Sequence, residues 1–147
     1  MQRPVLVGEF EVTLDAKNRI AVPARLRSAF AEGIYVAKVR ERCLGGYGPH
    51  EFAERLAEEA AATGDGSVAR RDAKRFTAAN AVHQPGLDGQ GRVTVPARLL
   101  GYAGITRDVT VIGAQDHVEF WDRAAWAAYL AHLEEEADAT ADELAAS

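Results

Sequence analysis

Two aspartate–arginine pairs are the residues of this sequence whose types and spacing could do chemistry. Asp15 stands four residues before Arg19, and Asp88 stands four residues before Arg92, so the motif Asp-x-x-x-Arg occurs twice. An aspartate at this spacing can accept the N–H groups of a tight turn or hold the arginine side chain. An exposed arginine can instead donate two parallel hydrogen bonds to a guanine base. The residue types alone leave both a structural and a nucleic-acid role open.

The residues inside the two motifs bear on both the structural and the nucleic-acid role. Lys17 lies in the first motif and suits a phosphate contact, whereas Gln90 takes its place in the second. Asn18 and Gly91 occupy equivalent positions, and they are the residue types that best tolerate a positive φ angle. Each motif is therefore predicted to form a hairpin corner with a left-handed residue, from which the arginine projects.

Both motifs belong to a longer internal repeat. Residues 14–26 and 87–99 align without gaps at a spacing of 73, with eight of thirteen positions identical. A second correspondence follows at a spacing of 74, between three residues of each half: Leu44, Tyr47 and Phe52, then Val118, Trp121 and Trp126. The chain is interpreted as a tandem duplication.

Apolar periodicity predicts the elements that position the motifs. Residues 9–14 alternate as a half-buried strand does, and Pro23 and Pro96 should end the strands that follow each motif. Further strands are predicted at 34–39 and 108–112, and amphipathic helices at 52–60 and 126–137. Each copy reads as strand, tight turn, strand, short helix, two strands and a helix, which is an α+β class.

A basic helix is predicted between the two copies, over residues 68–81 with Ser67 as its N-cap. It carries four cations that form either a solvated helix face or a phosphate contact: Arg70, Arg71, Lys74 and Arg75. The predicted domains are a first half (1–62), this linker (63–82), a second half (83–133) and an acidic C-terminal tail (134–147).

The net charge of −5 does not exclude a polyanionic partner, because the acidity is concentrated at one end. Residues 130–147 carry six acids and no Lys or Arg, and the rest of the chain carries 17 basic and 16 acidic residues. A disordered, solubilising tail is favoured over one that repels non-specific DNA. Each half of about 70 residues would be marginal alone, so contact between halves or subunits is expected.

Several other function classes find no support. The four histidines are dispersed and Cys43 is the single cysteine, so no metal site, catalytic pairing or internal disulfide is predicted. The segment 86–91 is glycine-rich but lacks the Gly-Lys-Ser/Thr ending of a phosphate loop. The first residues have no apolar signal region, and no run is long enough to span a bilayer. We expect a cytoplasmic protein that is not an enzyme, with no cofactor and no small-molecule substrate.

The two motif segments, LDAKNRIAVPAR and LDGQGRVTVPAR, resemble the paired Asp-x-x-x-Arg motifs of the MraZ family. Residues 111–113, 118–122 and 125–126 resemble its second-half signature, and the resemblance covers roughly residues 6–133. Two departures are Asn18, where the family usually has glycine, and the segment 44–47 (Leu-Gly-Gly-Tyr), where it usually has a continuous apolar strand.

The resemblance implies a fold of two tandem pseudo-repeats, each a swapped-hairpin AbrB-like β-barrel half with short helices. It also implies a nucleoid-associated regulator, expected to be a repressor, that assembles as a closed homo-oligomeric ring. Its expected partner is double-stranded DNA, bound at short direct repeats in the promoter ahead of the cell-division and cell-wall gene cluster. DNA binding then maps onto Lys17 and Arg19, and by repeat onto Arg92, with Asp15, Asn18, Asp88 and Gly91 shaping the turns.

Two alternatives remain at this point. A ring-forming scaffold would use the Asp–Arg corners only to stabilise hairpins. An AbrB-like antitoxin would bind DNA too, but such proteins typically have one copy of the domain and a toxin-wrapping tail. The duplication and the patterned second half argue against the antitoxin.

Overall fold

The computed structural model describes residues 3–64 and 66–146. Its first half contains β1 (Leu6–Thr13), β2 (Arg19–Ala21), a 3-10 helix (Ala24–Phe30), β3 (Ile34–Val39), β4 (Cys43–Tyr47) and α1 (Pro49–Ala62). Helix α2 (Val68–Ala78) leads to the second half: β5 (Val82–Gln84), β6 (Arg92–Thr94), α3 (Ala97–Ala103), β7 (Asp108–Gln115), β8 (Val118–Asp122) and α4 (Arg123–Ala146). The α+β class and the repeated order of elements are confirmed.

The strands of the two halves pair with each other. Six antiparallel strands form one sheet in the order β1-β7-β8-β4-β3-β5, and β2 and β6 form a separate two-stranded ladder. The expected tight corner between β1 and β2 is present, but the two strands do not form a ladder with each other, because each pairs with a strand of the second half. Alternation of apolar residues fixes which face of a strand is buried, but it does not choose the partner strand.

The resemblance implied a β-barrel half for each repeat, whereas the described strands form one open sheet and a separate two-stranded ladder. The six-stranded sheet is open, with β1 at one edge and β5 at the other. Strand β5 has only three residues, which pair with the start of β3. So short an edge offers too few backbone groups to close the sheet onto β1.

The β2–β6 ladder is the centre of the main core. Ile20 faces Val93 across the ladder, and neither side chain is exposed to solvent. Burying a side chain of this size stabilises the fold by about 1.5–3 kcal/mol. After each strand a proline starts the next turn, with its carbonyl accepting the N–H of Leu26 or Leu99. The core thus fixes both ends of each motif.

The glycines of β4 are explained by their close neighbours. All five residues of this strand are buried, so the segment 44–47 is a core strand despite its unusual composition. The ring of Tyr47 lies where a Cβ on Gly45 would stand, and Val118 lies against Gly46. Larger residues at the two positions would collide with the side chains that fill the core.

The linker and the tail are both helical. Ser67 caps α2 as predicted, by accepting the N–H of Arg70 at 3.1 Å, although α2 ends three residues earlier than expected. The disordered tail is wrong, because α4 continues without a break through residues 134–146. Alanine and glutamate dominate this segment and are strong helix formers. No helix of the described ranges has the length and apolarity needed to cross a membrane.

Candidate nucleic-acid interface

The first motif forms a tight corner between β1 and β2 that is organised by one carboxylate. Asp15 Oδ1 accepts the N–H groups of Lys17 and Arg19, both at 2.9 Å. Asp15 Oδ2 accepts the Arg19 Nε–H at 2.6 Å. The Asp15 N–H in turn donates to the Arg19 carbonyl at 3.1 Å, which closes the corner. Asn18 has a φ of +58°, so the corner contains a left-handed residue.

The second motif repeats this corner contact by contact. Asp88 Oδ1 accepts the N–H groups of Gln90 and Arg92 at 2.9 Å each, and its Oδ2 accepts Arg92 Nε–H at 2.8 Å. Gly91 has a φ of +76°, in the place of Asn18. The same three hydrogen bonds in two different sequences indicate that the motif itself, and not its surroundings, builds the corner.

The two corners lie side by side across the β2–β6 ladder. The Val95 N–H donates to the Asn18 carbonyl, and the Val22 N–H donates to the Gly91 carbonyl, both at 2.8 Å. Arg92 Nη1 lies 3.8 Å from Asp15 Oδ2, so the arginine of one corner reaches the aspartate of the other. The ladder therefore joins the corners into one rigid unit that presents both arginines together.

The charges of the corners are fixed by these contacts. Hydrogen bonds from the Arg19 backbone, and then from its guanidinium and the Lys17 backbone, lower the pKa of Asp15, although partial burial opposes them. The pKa of Asp88 is lowered in the same way by Arg92 and Gln90. Each aspartate stays ionised at neutral pH and holds its arginine through Nε. Among the described residues, the terminal nitrogens of Arg19 take no part in its ion pair and can donate to a planar acceptor, whereas Arg92 Nη1 also approaches Asp15 Oδ2.

Lys17 is the exposed cation of the first corner. Its backbone N–H is held by Asp15, while its side chain forms no ion pair among the described residues. A flexible ammonium beside a fixed guanidinium suits one phosphate contact next to one base contact.

Arg27 is a further cation, and it lies beside the second corner. Its Nε–H donates to the Val22 carbonyl at 2.7 Å. Its side chain fills the space beside Gly91, where a Cβ would overlap the guanidinium. Glycine at position 91 is thus favoured both by the positive φ and by this close approach.

Arg123 supports the first corner from the start of α4, and no sequence pattern indicated it. Its Nη2 donates to the Val12 carbonyl at 2.7 Å, at the end of β1 that leads into the corner. Its Nη1 lies 3.8 Å from carboxylate oxygens of both Glu11 and Asp108. A sequence pattern cannot reveal a side chain whose main partner is a backbone carbonyl 111 residues away.

The cations of α2 make local contacts. Arg71 donates to the Gly66 carbonyl at 3.0 Å, Arg70 donates to the Gly64 carbonyl at 3.2 Å, and Arg75 pairs with Asp72. The first two bonds hold the start of the helix, the third lies within it, and none of the three links it to the Asp–Arg corners.

The acidic side chains that lie close enough for a metal ion are already paired. Within the described ranges, His50, Glu51 and Glu54 bring their ligand atoms within 4.8 Å of one another. Arg3 forms ion pairs with both glutamates, and His50 contacts Glu54. The cluster is on the surface and is a network of ion pairs at the start of α1.

Comparisons with known proteins agree with the repeated architecture. A family model described as "MraZ protein, putative antitoxin-like" matches twice, over residues 5–75 and 77–146. The protein of Micrococcus luteus named Transcriptional regulator MraZ is 42% identical over 130 residues, which cover 88% of this chain and 90% of the relative. The proteins of the same name from Salinispora arenicola and Kocuria rhizophila are 40% and 38% identical, over 132 and 140 residues. They are matched over 92% and 96% of their own lengths, and over 90% and 95% of this chain.

Proposed function

The chain belongs to the MraZ family, and on that premise we propose that it regulates transcription by sequence-specific binding to double-stranded DNA. The observation that carries the proposal is the pair of rigid Asp–Arg corners, joined by the β2–β6 ladder. Arg19 and Arg92 read base edges, and Lys17 contacts a phosphate. Asp15 and Asp88 hold the two arginines, while Asn18 and Gly91 supply the left-handed turns.

The finer parts of this proposal concern the assembly and its target. Copies of the chain assemble into a closed homo-oligomeric ring. Each subunit has two AbrB-like halves, over residues 1–62 and 83–133, joined by the linker 63–82 and followed by the acidic tail 134–147. Each swapped-hairpin half supplies one corner. The ring represses the promoter ahead of the cell-division and cell-wall gene cluster by binding short direct repeats there. It works in the cytoplasm, at the nucleoid.

A preorganised arginine explains why such a corner can discriminate between bases. The carboxylate fixes the guanidinium before DNA arrives, so little side-chain freedom is lost on binding. A bidentate pair with guanine is worth about 1–3 kcal/mol of discrimination against the wrong base. The net charge of the chain is negative, but acidic residues are concentrated at the end of α4, so the first corner can still present positive charge to DNA.

Arg19→Ala tests the proposal directly. We expect the variant to lose about 1–3 kcal/mol of specific binding per corner, and to keep its fold because the buried ladder is untouched. Arg19→Lys should keep the charge but not the bidentate hydrogen bonds, so that it binds DNA with reduced discrimination, the remainder coming from Arg92. Fluorescence anisotropy at fixed salt, with a duplex from upstream of the coding sequence and a scrambled duplex, measures both effects.

Arg3→Ala is the matched control, since it removes the same charge from the ion-pair network at α1. It should bind both duplexes as the wild type does. If Arg19→Ala also discriminates as well as the wild type, the first corner does not read DNA.

A further inference from the structure

A cluster of cations and aromatic rings surrounds the turn between β3 and β4. The Arg42 guanidinium lies 4.8 Å from the centre of the Tyr102 ring, and Lys38 Nζ lies 4.9 Å from the same ring. The Arg40 guanidinium lies 4.9 Å from the centre of Phe76, whose ring meets Tyr102 edge to face at 6.1 Å. These five residues are the basic turn surface. We infer that it is a second DNA-contacting surface, which binds backbone phosphates beside the first corner.

Aromatic support orders the cations without neutralising them. A ring face attracts a cation and leaves the N–H groups at the edge of a guanidinium free to donate. Lys38, Arg40 and Arg42 form no ion pair within the described residues, and Arg40 and Arg42 are exposed. The Tyr102 hydroxyl donates to the Val39 carbonyl at 2.7 Å, which ties the ring to the turn. The surface is thus an ordered group of three positive charges, with Glu41 as the one carboxylate of the turn and no ion pair to it among the described residues.

Arg42 occupies a backbone conformation that a glycine would adopt more easily. Val39 pairs with Cys43, the Arg42 N–H donates to the Val39 carbonyl at 3.0 Å, and Arg42 has a φ of +66°. Three-residue hairpin loops of this kind usually place glycine at the left-handed position. An arginine there is strained, and such strain is concentrated at functional sites. This conformation supports a role of the Arg42 side chain in binding phosphate.

Strand register places this turn and the first corner at the same end of the strands of the sheet. Thr13, which leads into the corner, pairs with Asp108 at the start of β7. Across the sheet, Val109 pairs with Asp122 at the end of β8, and Leu44 at the start of β4 pairs with Phe120. The ends of β1 and β4 are three strand spacings apart, which is roughly 15 Å.

This separation favours DNA over an acidic helix of a second copy as the partner. A major groove is about 12 Å wide, so a duplex that contacts Arg19 brings backbone phosphates to a surface on the order of 15 Å away. The acidic end of α4 has complementary charge, but nothing relates its position to the first corner. The inference rests on the proposed DNA binding, which it extends from bases to phosphates.

Arg42→Gly separates the side chain from the fold. The glycine relieves the positive φ, so the melting temperature should stay the same or rise. Affinity should fall several-fold, and equally, for the upstream duplex and the scrambled duplex. The slope of log K against log salt should become less steep by about 0.9 for each phosphate that the variant no longer neutralises. Gln115→Gly is the matched control, because Gln115 is an exposed left-handed residue at the end of β7, with a φ of +78°.

Anisotropy titrations at several salt concentrations, together with light scattering for the mass, test whether the basic turn surface contacts phosphates. Unchanged affinity and slope for Arg42→Gly would overturn the inference while leaving the role of Arg19 intact. A reduced mass with unchanged DNA binding would also overturn it, and would assign the surface to a second copy. If the wild type fails to distinguish the duplexes, the proposed function fails, yet a shared decrease in affinity in Arg42→Gly would still support this phosphate contact.

Discussion

Asp15 and Asp88 each hold a whole corner with one carboxylate. Each accepts two backbone N–H groups and one guanidinium N–H, so the backbone and the arginine are fixed by the same side chain. Charge-assisted hydrogen bonds of this kind are stronger than those between neutral groups. The structural and the nucleic-acid interpretations of the motif are therefore compatible, because the bonds that close the turn also aim the arginine.

Substitutions at Asn18 test the left-handed corner. Asn18→Gly should be neutral or mildly stabilising, since Gly91 fills the same role in the second half. Asn18→Val should cost about 1–3 kcal/mol, because a β-branched residue is strained at positive φ. Thermal unfolding of both variants measures the difference. Equal melting temperatures would show that this φ does not limit stability.

Single elements could be predicted well from sequence where the signal is local. Residues 34–39 form the expected strand, and Ser67 caps α2, because alternation and capping are set within a few residues. The repeat also predicted that Asn18 and Gly91 share a backbone conformation. The pairing of β1 with β7 was missed, since partner choice depends on contacts about 100 residues apart. The helical end of α4 was missed because its charge was given more weight than its helix propensity.

The β7–β8 turn is an element whose stability should depend on pH. His117 stacks on Tyr47 at 4.8 Å and contacts Asp116 at 2.7 Å and Glu119 at 3.0 Å. Burial alone would lower the pKa of His117, but its hydrogen bonds to Glu119 and Asp116 outweigh burial and raise the pKa above its ordinary value of 6.5. Because the pKa of His117 is higher in the folded chain than in the unfolded chain, its protonation stabilises the fold. This stabilisation is complete below pH 6.5 and is lost as pH rises through the pKa of the folded state.

His117→Gln should therefore be most destabilising, relative to the wild type, in mildly acidic solution. The difference in unfolding free energy should shrink as pH rises above 6.5, because the wild-type histidine then loses its charge. Urea unfolding between about pH 5.5 and pH 9 measures this difference. Glu119→Gln removes the main acceptor and should weaken the pH dependence. A constant difference across the range would rule out a raised pKa for His117 in the folded state.

At the scale of the whole molecule, the described part of the chain leaves apolar surface exposed to solvent. None of the side chains of α4 is buried, although Trp126 and Tyr129 pack against Trp121. Val5 and Val7 at the edge strand β1 are 70% and 58% exposed. An exposed edge strand with apolar side chains is a typical subunit contact.

We expect a stable homo-oligomer in the absence of DNA. Two halves of marginal size, with an apolar edge strand and an uncovered helix, gain stability from a second copy. Light scattering at micromolar concentration checks the mass. A value near the subunit mass of 15.8 kDa would contradict the assembly on which the ring model depends.

Binding to several direct repeats is the most direct test of the central claim, that an oligomer reads DNA through its Asp–Arg corners. One corner offers few contacts, so one subunit on one repeat should bind weakly. Joined corners make later contacts intramolecular, with gains on the order of 10²–10⁴ when the repeat spacing matches the subunit spacing. Each further phosphate that is neutralised steepens the salt slope by about 0.9.

The measurement is anisotropy with duplexes that carry one, two or three repeats, and a further duplex whose repeat spacing is shifted by half a helical turn. We predict that affinity and salt slope rise with repeat number and fall with the shifted spacing. Equal affinity for all four duplexes would contradict the account, and would favour a monovalent antitoxin-like protein or a scaffold.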